Sequence, residues 1–354
     1  MQAEPEVLFE KRGRAGIITL NRPRALNALT LAMIRDMHAE LASWAEDAAI
    51  ERVVIRGAGE KAFCAGGDIR QVRELGLRSD PEAVGFFRDE YRLNALIKRF
   101  PKPYVALIDG AVMGGGVGVS VHGSHRICGE RTAFAMPEAG IGFFPDVGAT
   151  YFLPRLPGRL GAYLGLTGAR LGQADALWSG IATHAVPRAR FDDLAESLAE
   201  ATDIAAAIDE HAAAPRLASI VQLMPAIDRC FAADSVEAIM EALDRETGEH
   251  WQWAAQTADA LRLKSPLSLK IALRQMREGR HASFAECMRI EFRIVSRVLQ
   301  GTDFYEGVRA LILDKDNQPH WTHASVETVG KEEVDRYFAP LGPDELELSV
   351  AFAQ

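Results

Sequence analysis

The stretch that most constrains this chain runs from Asp109 to Leu156, DGAVMGGGVGVSVHGSHRICGERTAFAMPEAGIGFFPDVGATYFLPRL. The apolar run Tyr104 to Ile108 before it predicts a buried strand, and Gly114, Gly115 and Gly116 predict a helix opening just after it. Backbone N–H groups at a helix start can receive developing negative charge without a side chain, and glycine removes the Cβ that would obstruct the approach. A second donor is needed to complete such a hole, and Gly67, in an earlier glycine turn, can supply it. Two acids then follow, Glu138 and Asp146, each directly after a proline. Glycines and prolines between them disfavour a continuous helix, so a looped segment can turn both carboxyls toward one site. Met136, Phe143 and Phe144 around them would raise carboxyl pKa values by desolvation, which suits acid–base chemistry. Taken alone, the same pair also reads as ordinary loop carboxylates.

Earlier in the chain, Val7 to Glu10 and Ile17 to Leu20 read as a hairpin around Gly13-Arg14-Ala15-Gly16. Thr30 is placed to cap a helix whose apolar face carries Met33, Met37, Leu41 and Trp44. Arg52 to Arg56 (RVVIR) reads as a buried strand, and Phe63-Cys64-Ala65-Gly66-Gly67-Asp68-Ile69 as a turn with Asp68 capping the next helix. Pro81 to Phe100 predicts a helix with Glu90 among its apolar residues, where a glutamate is usually exposed or ion-paired. Strand, turn and helix thus alternate, the signature of an α/β architecture. From Leu160 onward the pattern is mainly helical, with Ser265-Pro266 as a helix start, Ser283-Phe284-Ala285-Glu286 as a capping box and an apolar stripe over Phe284, Met288, Phe292, Val295 and Leu299.

Composition removes several function classes. A net charge of −9 argues against a general nucleic-acid binder. No run approaches the length of a membrane span, and the first residues lack the apolar core of a signal peptide, so a cytoplasmic protein is expected. The four cysteines are scattered with no CxxC, which argues against structural zinc and a disulfide framework. There is no HExxH, no G-x-S-x-G and no Walker-type loop, and Gly114 to Gly118 does not fit G-x-G-x-x-G. No metal is expected.

Asn21-Arg22-Pro23 with Leu26-Asn27-Ala28-Leu29, then Phe63 to Asp68, then Gly110 with Gly114-Gly115-Gly116, resembles the crotonase (enoyl-CoA hydratase/isomerase) superfamily. Met136-Pro137-Glu138, Gly142 to Gly148, Tyr151 to Leu156, Glu90-Tyr91, Asp303 to Ala310 and Asp314-Lys315-Asp316 further resemble its 3-hydroxyisobutyryl-CoA hydrolase branch, so the likeness spans nearly the whole chain. The resemblance implies an α/β, crotonase-like spiral of ββα units over residues 1–200, and a helical C-terminal region over 201–354 packing on that core or on a neighbouring subunit. It implies an acyl-CoA substrate with no separate cofactor, coenzyme A being part of the substrate. It also implies an oxyanion hole from the N–H groups of Gly67 and Gly115. The loop Ala65, Gly66, Asp68 and Ile69 would lie along the CoA, with Arg24 a candidate contact for its phosphates. Glu138 and Asp146 would be catalytic, and Glu90 would contact the acyl group. Crotonase relatives often form trimers, so a homo-oligomer is one expectation.

One departure from the hydratases narrows the activity. They carry a glutamate where this chain has Gly118, and syn addition of water to an enoyl-CoA uses two glutamates. Only Glu138 is retained, so hydrolysis of a short β-hydroxyacyl-CoA thioester is expected, with hydration or isomerisation as the alternative reading. An RNA-binding or scaffold member of the same fold is the non-enzyme alternative, opposed by the acidic charge and the Glu138/Asp146 pair.

Overall fold

The apolar runs of the sequence become strands that alternate between two sheets. The structure, a computed structural model, describes residues 4–214 and 216–348. In chain order the strands are β1 (Val7–Arg12), β2 (Ala15–Leu20), β3 (Arg52–Gly57), β4 (Ala62–Cys64), β5 (Tyr104–Ile108), β6 (Ala111–Met113), β7 (His125–Cys128), β8 (Ala133–Ala135) and β9 (His184–Ala185). β1 and β2 form the expected hairpin, but with longer arms: Arg12 lies opposite Ala15, so only Gly13 and Arg14 remain in the turn. β3, β5, β7 and β9 join it in parallel, giving the order β1-β2-β3-β5-β7-β9, while β4, β6 and β8 make a second, parallel sheet. Helices Ile69–Leu77 and Glu82–Lys98 follow β4, and the short helix Gly115–Gly118 follows β6. Each turn of chain therefore places one strand in each sheet before its helix, which is the ββα spiral that the resemblance implies.

The central strands are apolar on both faces because both faces are covered. In β3, Val53 and Ile55 join the main core, and Val54 faces a smaller core on the other side. β5 divides the same way, with Tyr104, Ala106 and Ile108 against Val105 and Leu107. The smaller core is closed by Phe191, Leu194 and Leu198 of helix Phe191–Glu200 and by Ile208 of helix Ile204–His211. Buried Arg52 donates to the carbonyls of Leu198 and Ala201, satisfying a helix C-terminus that would otherwise be left bare.

The main core runs on without interruption into the C-terminal helices, from Val7 to Leu346. Helix Pro266–Gly279 starts as the sequence predicts: Ser265 accepts the Ser268 N–H at 3.1 Å and Pro266 takes the first helical position. Helix Phe284–Val298 is capped by Ser283, which accepts the Glu286 N–H at 3.2 Å. The reciprocal half of the capping box is replaced, since the Glu286 carboxylate instead receives Arg289 and Arg293. The apolar stripe of this helix packs against helix Glu82–Lys98, as in the 6.5 Å edge contact of Phe292 with Tyr91.

Candidate active site

The site is assembled where the two glycine turns meet. Segment 26–29 pairs with the Ala65–Asp68 turn through Ala65 N–H to Leu26 O (3.0 Å), Leu29 N–H to Gly66 O (2.8 Å) and Asp68 N–H to Leu29 O (2.8 Å). In this parallel bridge the bonds are carried by Gly66 and Asp68, so the Gly67 N–H points to the opposite side, toward the second turn. There Gly115 is the first residue of its helix, and its N–H has no partner within that helix. A β-carbon on Gly115 would lie 3.1 Å from the Gly67 nitrogen and 2.5 Å from Glu90 Oε1. The two donors and a carboxyl thus crowd one point, and a side chain at residue 115 would have to displace Glu90.

The segment 26–29 is itself pinned by Asn27, buried with φ +56°. Its side chain donates to Ala58 O (2.9 Å), Ala62 O (3.0 Å) and Phe63 O (3.1 Å) and accepts from Arg22 N–H (3.0 Å). That bonding explains the Leu26-Asn27-Ala28-Leu29 motif: it fixes the first glycine turn to the sheet.

A cavity of about 370 Å3 opens beside the two donors. Ala65, Gly66, Gly67, Ile69, Glu90, Gly115, Glu138 and Asp146 all line it, so eight of the residues singled out from sequence come together. Two do not. Asp68 is used as the cap of helix Ile69–Leu77, accepting Gln71 N–H and pairing with Arg22 at 3.1 Å. Arg24 stands exposed in the turn Pro23–Ala25 and lines no part of the cavity. Two larger surface clefts, of about 730 and 760 Å3, hold none of these acids; the first is lined by ion-paired residues such as Lys270 with Glu237 and Arg274 with Asp335.

Burial dominates the electrostatics. Glu90 is 2% exposed, which corrects the expectation of an exposed or paired side chain. Burial, then the charges of Asp146, Glu291 and Glu138, hold its carboxyl well above the ordinary range. Glu138 is raised well above its ordinary value by burial and then by Asp146, with the Lys264 ammonium pulling the other way. Asp146 is pushed up to about 7 by burial, opposed by a 2.9 Å hydrogen bond donated by the Tyr91 hydroxyl. Glu138 Oε2 and Glu90 Oε1 are buried with no hydrogen-bond partner among the described residues. Paired acids buried beside a cavity walled by phenylalanines, pushed toward neutrality, are suited to moving protons.

Local backbone aims each acid. Glu138 begins a 3-10 turn, Glu138–Ile141, and its Oε1 lies 3.1 Å from where a β-carbon on Gly114 would be. Asp146 is followed by Val147 at φ +52° and Gly148 at φ +93°. Left-handed backbone costs a β-branched residue roughly 1–3 kcal/mol, so this turn is held by its surroundings.

The place of the missing hydratase acid is filled. A β-carbon on Gly118 would lie 2.7 Å from Asn94 Nδ2 and 2.8 Å from Val147 Cβ, both on buried residues. A glutamate cannot be accommodated there without displacing the Asp146 turn.

Several functional neighbours are not identified by sequence reading. Phe304, Leu311, Ile312 and Asn317 line the cavity from the C-terminal region. Leu311 and Ile312 belong to a π-helical turn, Arg309–Leu313, held by Arg309 bonding to Glu306, Asp314 and Asp316. Glu291 is fully buried in helix Phe284–Val298 and pushed up to about 8 by burial and then by Asp146. A signal for it existed: Met288, Glu291 and Val295 share one face, which puts a glutamate on the buried stripe. Among the described residues no group of three or more His, Cys, Asp or Glu is gathered so as to hold a metal ion.

Comparison with known proteins shows what the chain is similar to. Residues 15–338 match the profile of the enoyl-CoA hydratase/isomerase family. A protein of Danio rerio named 3-hydroxyisobutyryl-CoA hydrolase, mitochondrial, is 46% identical, covering 98% of this chain and 93% of its own length. The Homo sapiens protein of that name is 43% identical, covering 97% and 91%. Among solved structures, a carnitinyl-CoA dehydratase from Mycobacterium thermoresistibile superimposes with a TM-score of 0.92 at 40% identity, covering 98% of this chain and 99% of that one. An enoyl-CoA hydratase from Rhodobacter sphaeroides 2.4.1 gives 0.90 at 43% identity, covering 97% and 100%. The names of the curated relatives place them in mitochondria, which lends no support to the expected cytoplasmic location. No helix among the described residues is long and apolar enough to cross a membrane.

Proposed function

This chain belongs to the enoyl-CoA hydratase/isomerase family, and from that premise we infer that it is an acyl-CoA thioester hydrolase converting 3-hydroxyisobutyryl-CoA to 3-hydroxyisobutyrate and coenzyme A, a step of valine breakdown. The name of the curated relatives supplies the substrate. The observation that carries the reaction type is the filled space at Gly118: Asn94 and Val147 occupy the place a second hydratase glutamate would need. The hydratase and dehydratase names of the two solved neighbours favour the other reading, but this packing opposes it.

The thioester oxygen is received by the Gly67 and Gly115 N–H groups as charge develops on it. One such donor is worth about 3 kcal/mol in related chemistry. Glu138, which lines the cavity and whose buried Oε2 has no hydrogen-bond partner among the described residues, acts on the carbonyl carbon, either by direct attack to give an anhydride or by activating water. Asp146, held by Tyr91, orients the substrate hydroxyl or assists proton transfer, and Glu90 binds the hydroxyl end of the acyl group. The departing thiolate needs little acid help, since thiols are fairly acidic. The chain lines the cavity with its own residues 304–317, which supports a site completed within one subunit.

The test is release of free thiol from 3-hydroxyisobutyryl-CoA, set beside loss of enoyl absorbance with crotonyl-CoA. Glu138→Gln should abolish thiol release and still bind the CoA ester; full activity in that variant would refute the mechanism. A single turnover in oxygen-18 water separates the two routes, since label in Glu138 marks the anhydride.

A further inference from the structure

The turn that carries Asp146 is gripped on both sides by buried side chains that the hydrolysis itself does not use. Gln275 donates to the Pro145 carbonyl and, at 2.7 Å, to Thr150 Oγ1. His122 Nε2 lies 2.7 Å from the Val147 carbonyl; burial lowers the ring's pKa to about 4, so it is neutral and donates. Glu291 closes the grip, its Oε2 accepting the Gly148 N–H at 2.8 Å and its Oε1 the Thr150 N–H at 2.9 Å. The turn between these bonds is the left-handed Val147–Gly148 pair, which a valine does not adopt unaided. Burying an acid to hold two backbone donors costs desolvation that a neutral side chain would avoid. The two-pronged carboxyl is, however, the acceptor that reaches both N–H groups at once.

We infer that Glu291 is a positioning residue for the reaction: by holding the Gly148 and Thr150 N–H groups it keeps the strained Val147–Gly148 turn closed and the Asp146 carboxyl aimed into the cavity. The inference rests on the hydrolytic role proposed for Asp146. Glu291 does not itself line the cavity, and its hydrogen bonds go to the backbone of the Asp146 turn.

Glu291→Gln preserves shape but sets an NH2 group against one of the two N–H donors. Hydrogen exchange of the peptide covering Pro145 to Tyr151 should accelerate at least about tenfold in this variant. The kcat per binding site, titrated with a non-hydrolysable CoA thioether, should fall roughly 10- to 100-fold with KM nearly unchanged. In an Asp146→Asn background, Glu291→Gln should cause no further loss, because its effect passes through that aspartate. Val147→Gly, which accepts the positive φ, should restore part of the lost kcat; it also provides a folded partner should the single variant prove unstable. Unchanged exchange, unchanged kcat per site, or the same loss with and without Asp146 would overturn the inference. Full activity in Asp146→Asn alone would overturn the role of Asp146 and this inference with it. An impaired Asp146→Asn beside an intact Glu291→Gln would overturn the inference only.

Discussion

Asp146→Asn should make the protein more stable while making it a poorer enzyme. Burial moves the Asp146 carboxyl from its ordinary 3.8 to about 7. Between those pH values the native state holds a proton that the unfolded state has released. The unfolded state therefore binds fewer protons, and stability falls as pH rises through this window. The cost is absent below about pH 4 and complete above about pH 7. Three pH decades at ~1.36 kcal/mol each give ~4 kcal/mol. Glu90, Glu138 and Glu291 are raised in the same direction and share the repulsion, so about 2–4 kcal/mol is expected from removing one acid. The amide keeps the size of the side chain and can still accept the Tyr91 hydroxyl. For a chain of this size the gain corresponds to a Tm higher by roughly 3–5 °C at pH 8, narrowing toward pH 5. Scanning calorimetry of wild type and variant across pH 5 to 8.5, with thiol release measured in parallel, makes the comparison. A variant less stable than wild type at pH 8, or a gain that does not grow with pH, would refute the reasoning.

Other outcomes follow from the packing. Gly118→Glu should fail to install hydration of crotonyl-CoA, because the new side chain meets Asn94 and Val147; expect a loss of about 1–3 kcal/mol in urea unfolding and reduced thiol release. Asn27→Ala leaves the carbonyls of Ala58, Ala62 and Phe63 without their donor and should cost roughly 2–4 kcal/mol, read by urea unfolding, with weaker CoA-ester binding as the first glycine turn loosens.

The first half of the molecule was largely legible because its rules are local. Strand runs, the Thr30 and Asp68 caps and the glycine turns each depend on neighbours within a few residues, and they fold close to expectation, with longer hairpin arms and a short strand, Ala62–Cys64, ahead of the first glycine turn. The catalytic pair was legible only as two acids in a looped, apolar setting. What lay beyond reach was contact between distant parts of the chain. Glu90 looked like an ordinary helix glutamate because burial of its face depends on Gly115 and the C-terminal helices. Glu291, Gln275 and the cavity wall at Phe304 to Asn317 were missed for the same reason, since no local pattern says which loop a buried polar side chain will meet. Arg24 shows the converse error, a basic residue beside a good motif that the backbone turns to solvent.

The grip on the Asp146 turn joins residues 130 and 143 positions apart in sequence, Gln275 with Pro145 and Glu291 with Gly148. A ribosome making this chain at about 5–20 residues per second would therefore finish the spiral several seconds before the residues that set its aspartate. Until then the glycine donors can form, but the acid beside them has no fixed direction. The emerging chain should bind nothing productively, and refolded protein should regain thiol release with its last kinetic phase, after the sheets have formed.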